Sequence, residues 1–174
     1  IFKEYFLKKI KNTISSSLKN KEFFYCVLPG GRTLPKILSL MELINIDWSK
    51  VVFLLTDERC VPIGDKNRND NAIYEFLKSS KSFRKNNFRL IPAELGPFKS
   101  SIKYAKIISN INDIDLAILG LGEDGHTASL FHGKFNYEDK RTVIPIYNAP
   151  KYPSKRVSLS FNKLLNCKEK IVIA

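Results

Sequence analysis

The sequence predicts an α/β fold, with a mainly parallel, Rossmann-like sheet flanked by helices. Apolar stretches typical of buried strands alternate along the chain with stretches of helical spacing, a pattern typical of a parallel sheet with helical crossovers. The chain has 174 residues, a length that suits one domain with a sizeable core. Polar clusters directly follow three of the apolar stretches, and ligands bind beyond the carboxyl ends of strands in such sheets.

Each predicted strand is a short apolar run bounded by polar or turn residues. These runs lie at residues 22–28, 49–58, 87–94, 113–122, 141–147, 156–161 and 169–174. Each predicted helix has apolar residues three or four positions apart among polar ones. The helices are an amphipathic segment over residues 1–20, then residues 34–44, 69–80 and 100–111, and a short helix or turn at 161–167. Asn69 or Asp70 is suited to cap the helix at 69–80.

Composition and charge are those of an ordinary globular protein. Hydrophobic residues make up 44% of the chain and charged residues 26%, and no apolar run approaches the roughly 20 residues that a membrane span needs. The N-terminal stretch lacks the apolar core and cleavage site of a signal peptide. Three widely spaced cysteines indicate neither disulfides nor a zinc site and fit the cytoplasm. The net charge of +12 comes from scattered lysines, so we expect no nucleic-acid partner and no membrane association.

Three polar turns, PGGRT, TDER and GEDGH, each come directly after a predicted strand. Because the carboxyl ends of parallel strands meet at one edge of the sheet, we expect the three turns to form one site. The alternative is that each is an ordinary tight turn. The candidate site residues in these turns are Gly30, Gly31, Arg32, Thr33, Asp57, Arg59, Asp124 and His126.

The residue types in these turns suit an anionic substrate and acid–base chemistry. A glycine pair before a helix lets backbone amides approach an anion closely, and a helix N-terminus favours negative charge. Thr33 can cap that helix or bond a phosphate oxygen, and Arg59 can hold a phosphate or carboxylate in bidentate fashion. His126 can act as a general base, oriented or polarised by Asp124. A hydrogen-bonded structural histidine is the alternative.

Residues 120–125 also match G-x-G-x-x-G, the dinucleotide-binding fingerprint. Glu123 and Asp124 within this turn would repel a pyrophosphate, and the segment that follows is too short for the long helix that the fingerprint opens. Glu138 and Asp139, at about the right distance, precede the next strand instead of ending it. We therefore expect no NAD or FAD.

Four motifs, PGGRTLP, TDERCVP, LGLGEDGHTASLF and KYPSKRVSLSF, occur in this order over most of the chain. Together they resemble the 6-phosphogluconolactonase family, within the glucosamine-6-phosphate isomerase/6-phosphogluconolactonase superfamily. The resemblance implies a sugar-phosphate-isomerase-like α/β fold and a cytoplasmic hydrolase of the oxidative pentose phosphate pathway. The implied reaction converts 6-phospho-D-glucono-1,5-lactone into 6-phospho-D-gluconate, without a metal or an organic cofactor.

By the same resemblance, His126 corresponds to the family's catalytic histidine, which we expect to activate water as a general base. Gly30, Gly31 and Thr33 match the family's phosphate loop, although Arg32 and Thr33 stand where many members have small hydroxyl residues.

Further positions match outside this loop. Arg59 corresponds to the arginine of the DER motif, and Arg156 to the arginine of a P-x-x-R-V segment. Asn69 resembles the asparagine of an S-N element, with Arg68 in the serine position. His132 stands where the family commonly has proline, and we expect it in a solvent-facing turn. Which arginine binds phosphate and which stabilises the carbonyl oxygen is left open.

Two other functions compete with this interpretation. Glucosamine-6-phosphate deaminase chemistry needs a carboxylate base, for which Asp57 could serve, but the TASLFHG stretch after His126 carries no acid. A non-enzymatic sugar-phosphate or nucleic-acid binder is the second alternative. The chain stops within an apolar run where family members continue, so residues 1–174 are expected to be a single α/β lactonase-like domain that lacks its C-terminal part. Oligomeric state and fusion to a dehydrogenase are left open.

Overall fold

The computed structural model describes residues 2–174, and Ile1, the first residue of the predicted N-terminal helix, lies outside them. The α-helices follow the predicted order: α1 Phe2–Ser17, α2 Thr33–Met41, α3 Asp70–Ser79, α4 Pro97–Ile107 and α5 Phe161–Leu165. The strands are β1 Phe24–Leu28, β2 Val51–Leu55, β3 Asp57–Arg59, β4 Phe88–Arg89, β5 Leu116–Gly120, β6 Val143–Ile146, β7 Arg156–Leu159 and β8 Glu169–Ile173. The predicted α/β fold is confirmed. Over residues 2–174, no helix combines the length and the apolar character that a bilayer span requires.

Five strands form a parallel sheet in the order β4-β2-β1-β5-β8. The central strands β1, β2 and β5 consist almost wholly of buried apolar residues, as expected where both faces of a parallel sheet are covered. The strand order reverses at β1, because β2 and β4 lie on one side of it and β5 and β8 on the other. This reversal opens a crevice beyond the carboxyl ends of β1 and β5, the place where such sheets bind ligands.

The other strands form a small antiparallel sheet in the order β3-β7-β6, which the sequence did not predict. Residues 49–58, predicted as one strand, divide at Thr56 into β2 and β3. The Thr56 amide donates to the carbonyl of Leu28 at 2.9 Å and so extends the parallel ladder, while its own carbonyl accepts from the amide of Leu159 at 2.8 Å. Thr56 therefore joins the two sheets, and β3 leaves the large sheet to pair with β7.

An aromatic cluster packs in the core beside β2 and β4. The rings of Trp48 and Phe83 have centroids 4.4 Å apart, and those of Phe53 and Phe88 stack at 5.2 Å. All four side chains are buried. Such pairs stabilise the core beyond the area that they bury, and none of these residues lines the cavity described next.

Candidate active site

A cavity of about 250 Å³ lies at the carboxyl ends of β1 and β5, where the strand order reverses. The turns after β1 and β5 and the antiparallel strands β3 and β7 all contribute to its wall. The predicted site residues in this wall are Gly30, Gly31, Arg32, Thr33, Asp57, Arg59, His126 and Arg156. The structure thus brings together the three polar turns and adds the arginine of the fourth motif. Asp124 and Asn69 contact wall residues from outside the cavity.

The glycine turn after β1 is held in shape by Asn69. The side-chain oxygen of Asn69 accepts from the amide of Gly31 at 2.9 Å, and its side-chain nitrogen donates to the carbonyl of Asp57 at 2.9 Å. Gly30 packs so closely on this side chain that a Cβ would overlap it, and Gly31 has a positive φ of 65°, which favours glycine. Asn69, which the resemblance predicts to belong to the site, is buried behind the turn and links it to β3.

Glu58 is a site-building residue that the sequence analysis missed. It is fully buried, and its carboxylate accepts from the amides of Arg59, Asn69 and Asp70 at 2.8, 2.7 and 2.9 Å. The last two amides begin α3, so Glu58 caps that helix and fixes it against β3, whereas the Asn69 side chain makes no cap. Burial raises the pKa of Glu58 to about 7, against the opposing effect of the amide hydrogen bonds. The alternation of side chains along a strand could have indicated this role, because it directs Glu58 to the face of β3 opposite Asp57 and Arg59.

Two arginines face each other at the cavity. Arg59 and Arg156 are directly opposed in the pairing of β3 with β7. Arg156 is buried, and its Nε and Nη2 donate to the carbonyls of Pro153 and Lys151 at 2.8 and 2.7 Å. Arg59 donates through Nη1 to the carbonyl of Asn67 at 2.6 Å, and its buried Nε has no partner within residues 2–174. Opposed like charges destabilise a sheet, so this arrangement is suited to an anion.

The charges around the two arginines also favour the binding of an anion. Burial lowers the pKa of Arg156; the nearby Asp57 carboxylate raises it, and Arg59 lowers it again. Asp57 does not form an ion pair with either arginine at hydrogen-bond distance. Its two oxygens accept instead from the hydroxyls of Thr56 at 3.0 Å and Ser129 at 2.5 Å. The cavity therefore presents two cationic groups that its own carboxylate leaves available to a ligand.

His126 and Asp124 form a pair at the rim of the cavity. The Nδ1 atom of His126 is hydrogen-bonded to the Asp124 carboxylate, which also accepts from Lys151 Nζ at 3.2 Å. The bond to His126, with a smaller contribution from Lys151, lowers the pKa of Asp124 to about 2. Gly122 leaves the space for this pair, since a Cβ there would overlap the imidazole. A carboxylate on Nδ1 favours the tautomer in which Nε2 is the free, basic nitrogen.

The chain after His126 forms a tight reversal and not a helix. Thr127 and Leu130 pair in an isolated antiparallel bridge, with the Leu130 amide donating to the Thr127 carbonyl at 2.9 Å. Ala128, in the cavity wall, takes a φ of 53° within this reversal, an uncommon conformation for a residue with a side chain. The long helix that a dinucleotide fingerprint requires is therefore missing after Gly125. The reversal returns Phe131 to the imidazole of His126, and the two rings stack with centroids 4.3 Å apart.

His132 is exposed, as expected of a solvent-facing turn residue, and lies outside the cavity wall. Within the described part of the chain, no three histidine, cysteine, aspartate or glutamate side chains converge in a group that could hold a metal ion.

The fold and this site define a class of protein: an α/β enzyme with a small cationic cavity and a histidine–carboxylate pair at the switch point of its sheet. The family model described as glucosamine-6-phosphate isomerases/6-phosphogluconolactonase matches residues 2–174. The chain belongs to this family.

Individual relatives agree with the family match. The chain is 32% identical to the 6-phosphogluconolactonase of Thermotoga maritima over 163 residues, which cover 92% of this chain and 73% of the relative. It is 34% identical to the 6-phosphogluconolactonase of Borreliella burgdorferi over 152 residues, which cover 83% of this chain and 64% of that relative.

Solved structures confirm the fold. The crystal structure of the Thermotoga maritima 6-phosphogluconolactonase is similar to this chain with a TM-score of 0.85 and 28% identity, covering 98% of this chain and 78% of the other. The 6-phosphogluconolactonase of Plasmodium vivax has a TM-score of 0.83 at 24% identity, over 98% of this chain and 71% of the other. At that identity the likeness concerns the fold alone.

Proposed function

We propose that this chain hydrolyses 6-phospho-D-glucono-1,5-lactone to 6-phospho-D-gluconate, with His126 as the general base. One observation carries the proposal: a histidine with its Nδ1 bound to a carboxylate lies in the wall of a cavity that also holds two opposed arginines. The relatives named 6-phosphogluconolactonase support the reaction, and the geometry of the pair supports the role of His126.

In the proposed reaction, a water molecule lies between His126 and the lactone carbonyl. As the water oxygen bonds to the carbonyl carbon, its proton passes to Nε2 of His126, and the carbonyl electron pair moves onto oxygen. The electron pair then re-forms the carbonyl, the bond from that carbon to the ring oxygen breaks, and the ring oxygen takes a proton from His126. The products are a free hydroxyl and a carboxylic acid, which ionises. A positioned base contributes about 10²–10⁴-fold to such a step.

The cationic side of the cavity supplies the anchor for the phosphate in this proposal. Arg59 has a buried Nε without a partner within residues 2–174, and the amides at the start of α2 have no acceptor inside the helix. Both donor sets suit a phosphate. We assign to Arg156 the role of stabilising the oxygen of the lactone carbonyl, because it is held by two backbone carbonyls and contacts the Phe131 ring that stacks on His126. The amide of Gly31 is already bonded to Asn69, so it serves the shape of the turn.

The proposal extends to the setting of the enzyme. The sugar-phosphate lactone is the only partner that it requires, with neither nucleic acid nor membrane, and no metal or organic cofactor takes part. Prolonged chelation should accordingly leave turnover unchanged. We place the enzyme in the cytoplasm, since its three cysteines, Cys26, Cys60 and Cys167, are free thiols and suit a reducing compartment.

Replacing His126 with Asn tests the proposal, because Asn keeps some hydrogen bonding and removes the base. Hydrolysis of freshly made lactone, followed as acid release above the spontaneous rate, should fall by about 10²-fold or more. Thermal stability should be unchanged, and the affinity for the phosphosugar should stay within a few-fold of the wild type. The matched control is His132→Asn, which removes the exposed imidazole and should keep full activity. Near-normal turnover of folded His126→Asn protein would remove His126 from the mechanism, and ammonia release from glucosamine-6-phosphate would identify the deaminase instead.

A further inference from the structure

Phe131 touches two different functional groups of the cavity. Its ring stacks on the imidazole of His126, with centroids 4.3 Å apart and planes inclined by 27°. The guanidinium carbon of Arg156 lies 5.4 Å from the centroid of the same ring. Phe131 itself is 2% exposed and is not part of the cavity wall. The ring therefore lies behind the site and contacts both the candidate base and one of its two arginines.

These contacts join two segments that are far apart in the sequence. His126 and Phe131 are brought together by the reversal at Thr127–Leu130, whereas Arg156 begins β7 in the small sheet. Stacked aromatic pairs and cations near an aromatic face are both favourable contacts. A rigid, buried ring can thus fix the separation between a base on one segment and a cation on the other.

His126 and Arg156, the two groups that the Phe131 ring contacts, differ in their other contacts. Arg156 is also fixed by the carbonyls of Pro153 and Lys151. The imidazole of His126 has only the Asp124 carboxylate as a side-chain hydrogen-bond partner among the described residues, and Asp124 is exposed on the rim. His126 consequently depends on the ring more than Arg156 does.

We propose that Phe131 is a positioning residue of this site, whose ring holds the imidazole of His126 and the guanidinium of Arg156 in a fixed relation to each other. The inference rests on the proposed function insofar as the positioned groups act on the lactone. It predicts that loss of the ring affects the chemical step more than substrate binding.

Phe131→Leu tests this, because leucine keeps most of the apolar volume and removes the aromatic face. The kcat for lactone hydrolysis should fall about 10- to 100-fold, as expected for a base displaced by a fraction of an ångström to an ångström. KM should stay within about threefold, since Arg59 and the start of α2, which anchor the phosphate in the proposed function, do not contact the Phe131 ring. Phe131→Tyr retains the ring and should keep kcat within about threefold of the wild type.

The matched control is Phe88→Leu, the same substitution in the aromatic cluster beside β2 and β4. It should lower thermal stability as much as Phe131→Leu does, with kcat per folded molecule within about twofold of the wild type. Unchanged kcat in Phe131→Leu would overturn the proposal. An equal loss of kcat in Phe88→Leu would overturn it too, because the effect would then come from general loosening of the core.

A proton NMR measurement on the wild-type protein tests the stack without any core variant. The chain has two histidines, and His132→Gln identifies the resonance of the exposed one. The ring proton between the two nitrogens of His126 should lie upfield of the His132 proton, since the face of Phe131 shields it. Coincident resonances would overturn the proposal. If the wild type shows the upfield shift but no lactonase activity, the positioning contact stands and the proposed function fails.

Discussion

Arg59 and Arg156 occupy directly opposed positions in the antiparallel pairing of β3 with β7. Two guanidinium groups held this way repel each other, and Asp57, the carboxylate in the same wall, is hydrogen-bonded to hydroxyls. Directly opposed like charges destabilise a sheet; the nearby Asp57 carboxylate offsets part of this repulsion, and an anion between the arginines would offset more of it. The pairing is thus better explained by ligand binding than by folding.

Arg59→Gln should weaken substrate binding and leave the fold intact. We expect KM for the lactone to rise about 10- to 100-fold, because a charged hydrogen bond to phosphate contributes about 1.5–3 kcal/mol. The ligand-free protein should melt at about the same temperature, since the repulsion with Arg156 and the hydrogen bond to the Asn67 carbonyl are lost together. Steady-state kinetics and thermal unfolding in phosphate-free buffer measure both effects.

The control for this variant is Arg141→Gln, which removes an exposed arginine paired with Asp139. It should alter neither KM nor the stabilisation of the protein by inorganic phosphate. In a crystal soaked with phosphate, the ion should contact the start of α2 and Arg59. An ion bound elsewhere, with this turn closed, would contradict the assignment.

Asp124→Asn should lower kcat by about 10- to 1000-fold, because the amide no longer fixes the hydrogen on Nδ1 of His126. The pKa of Asp124 is lowered to about 2 by its bond to His126, so the carboxylate stays ionised at every pH used for an assay. Glu123→Gln, at the neighbouring exposed acid, is the control and should keep wild-type kcat; equal kcat in the two variants would contradict the role given to Asp124.

Glu58 should make the stability of the protein depend on pH. Its pKa in the folded protein is raised to about 7 by burial, from an ordinary value of 4.5, so the folded state binds the proton more tightly than the unfolded state does. The stabilisation is complete below pH 4.5 and is lost as the pH rises through 7. The free energy of unfolding should fall over this window by about 3 kcal/mol, at about 1.4 kcal/mol per pKa unit.

Denaturant unfolding of the wild type and of Glu58→Gln at pH 5 and pH 8 isolates this effect. Glutamine does not titrate, so the difference in unfolding free energy between the two proteins should change with pH, while the contributions of the two histidines cancel. A difference that is constant between pH 5 and pH 8 would show that Glu58 titrates outside this window.

Much of the site was predictable from local patterns. The alternation of strands and helices implied a parallel sheet, and in such a sheet the turns at Gly30 and His126 meet where the strand order reverses. The small sheet was not predictable in this way. The apolar run at residues 51–55 passes directly into a charged turn in the sequence, and the division at Thr56 depends on partners at Leu28 and Leu159.

The residues that support the site could not be predicted either, because their partners lie in distant parts of the chain. Asn69 reads as a helix cap or a ligand group in the sequence, but it bonds to Gly31, which is 38 positions earlier in the chain. Phe131 reads as one more apolar residue of the DGHTASLF motif, and its role depends on β7 folding back beside it. Local patterns identify the groups at the ligand; contacts between distant segments decide which residues hold them in place.

The peptide of Thr56 belongs to both sheets at once, and this limits how the cavity can open. The two sheets cannot separate at Thr56 without breaking a buried hydrogen bond. The frame formed by the two joined sheets, which carries Asp57, Arg59 and Arg156, therefore moves as a unit. The segment from Gly122 to Leu130 is held to this frame by the hydroxyl of Ser129 on Asp57 and by Lys151 on Asp124. The Phe131 ring that follows it contacts both His126 and Arg156. The cationic half of the cavity is thus built as a fixed surface, and the charged end of a ligand must fit that surface as it stands.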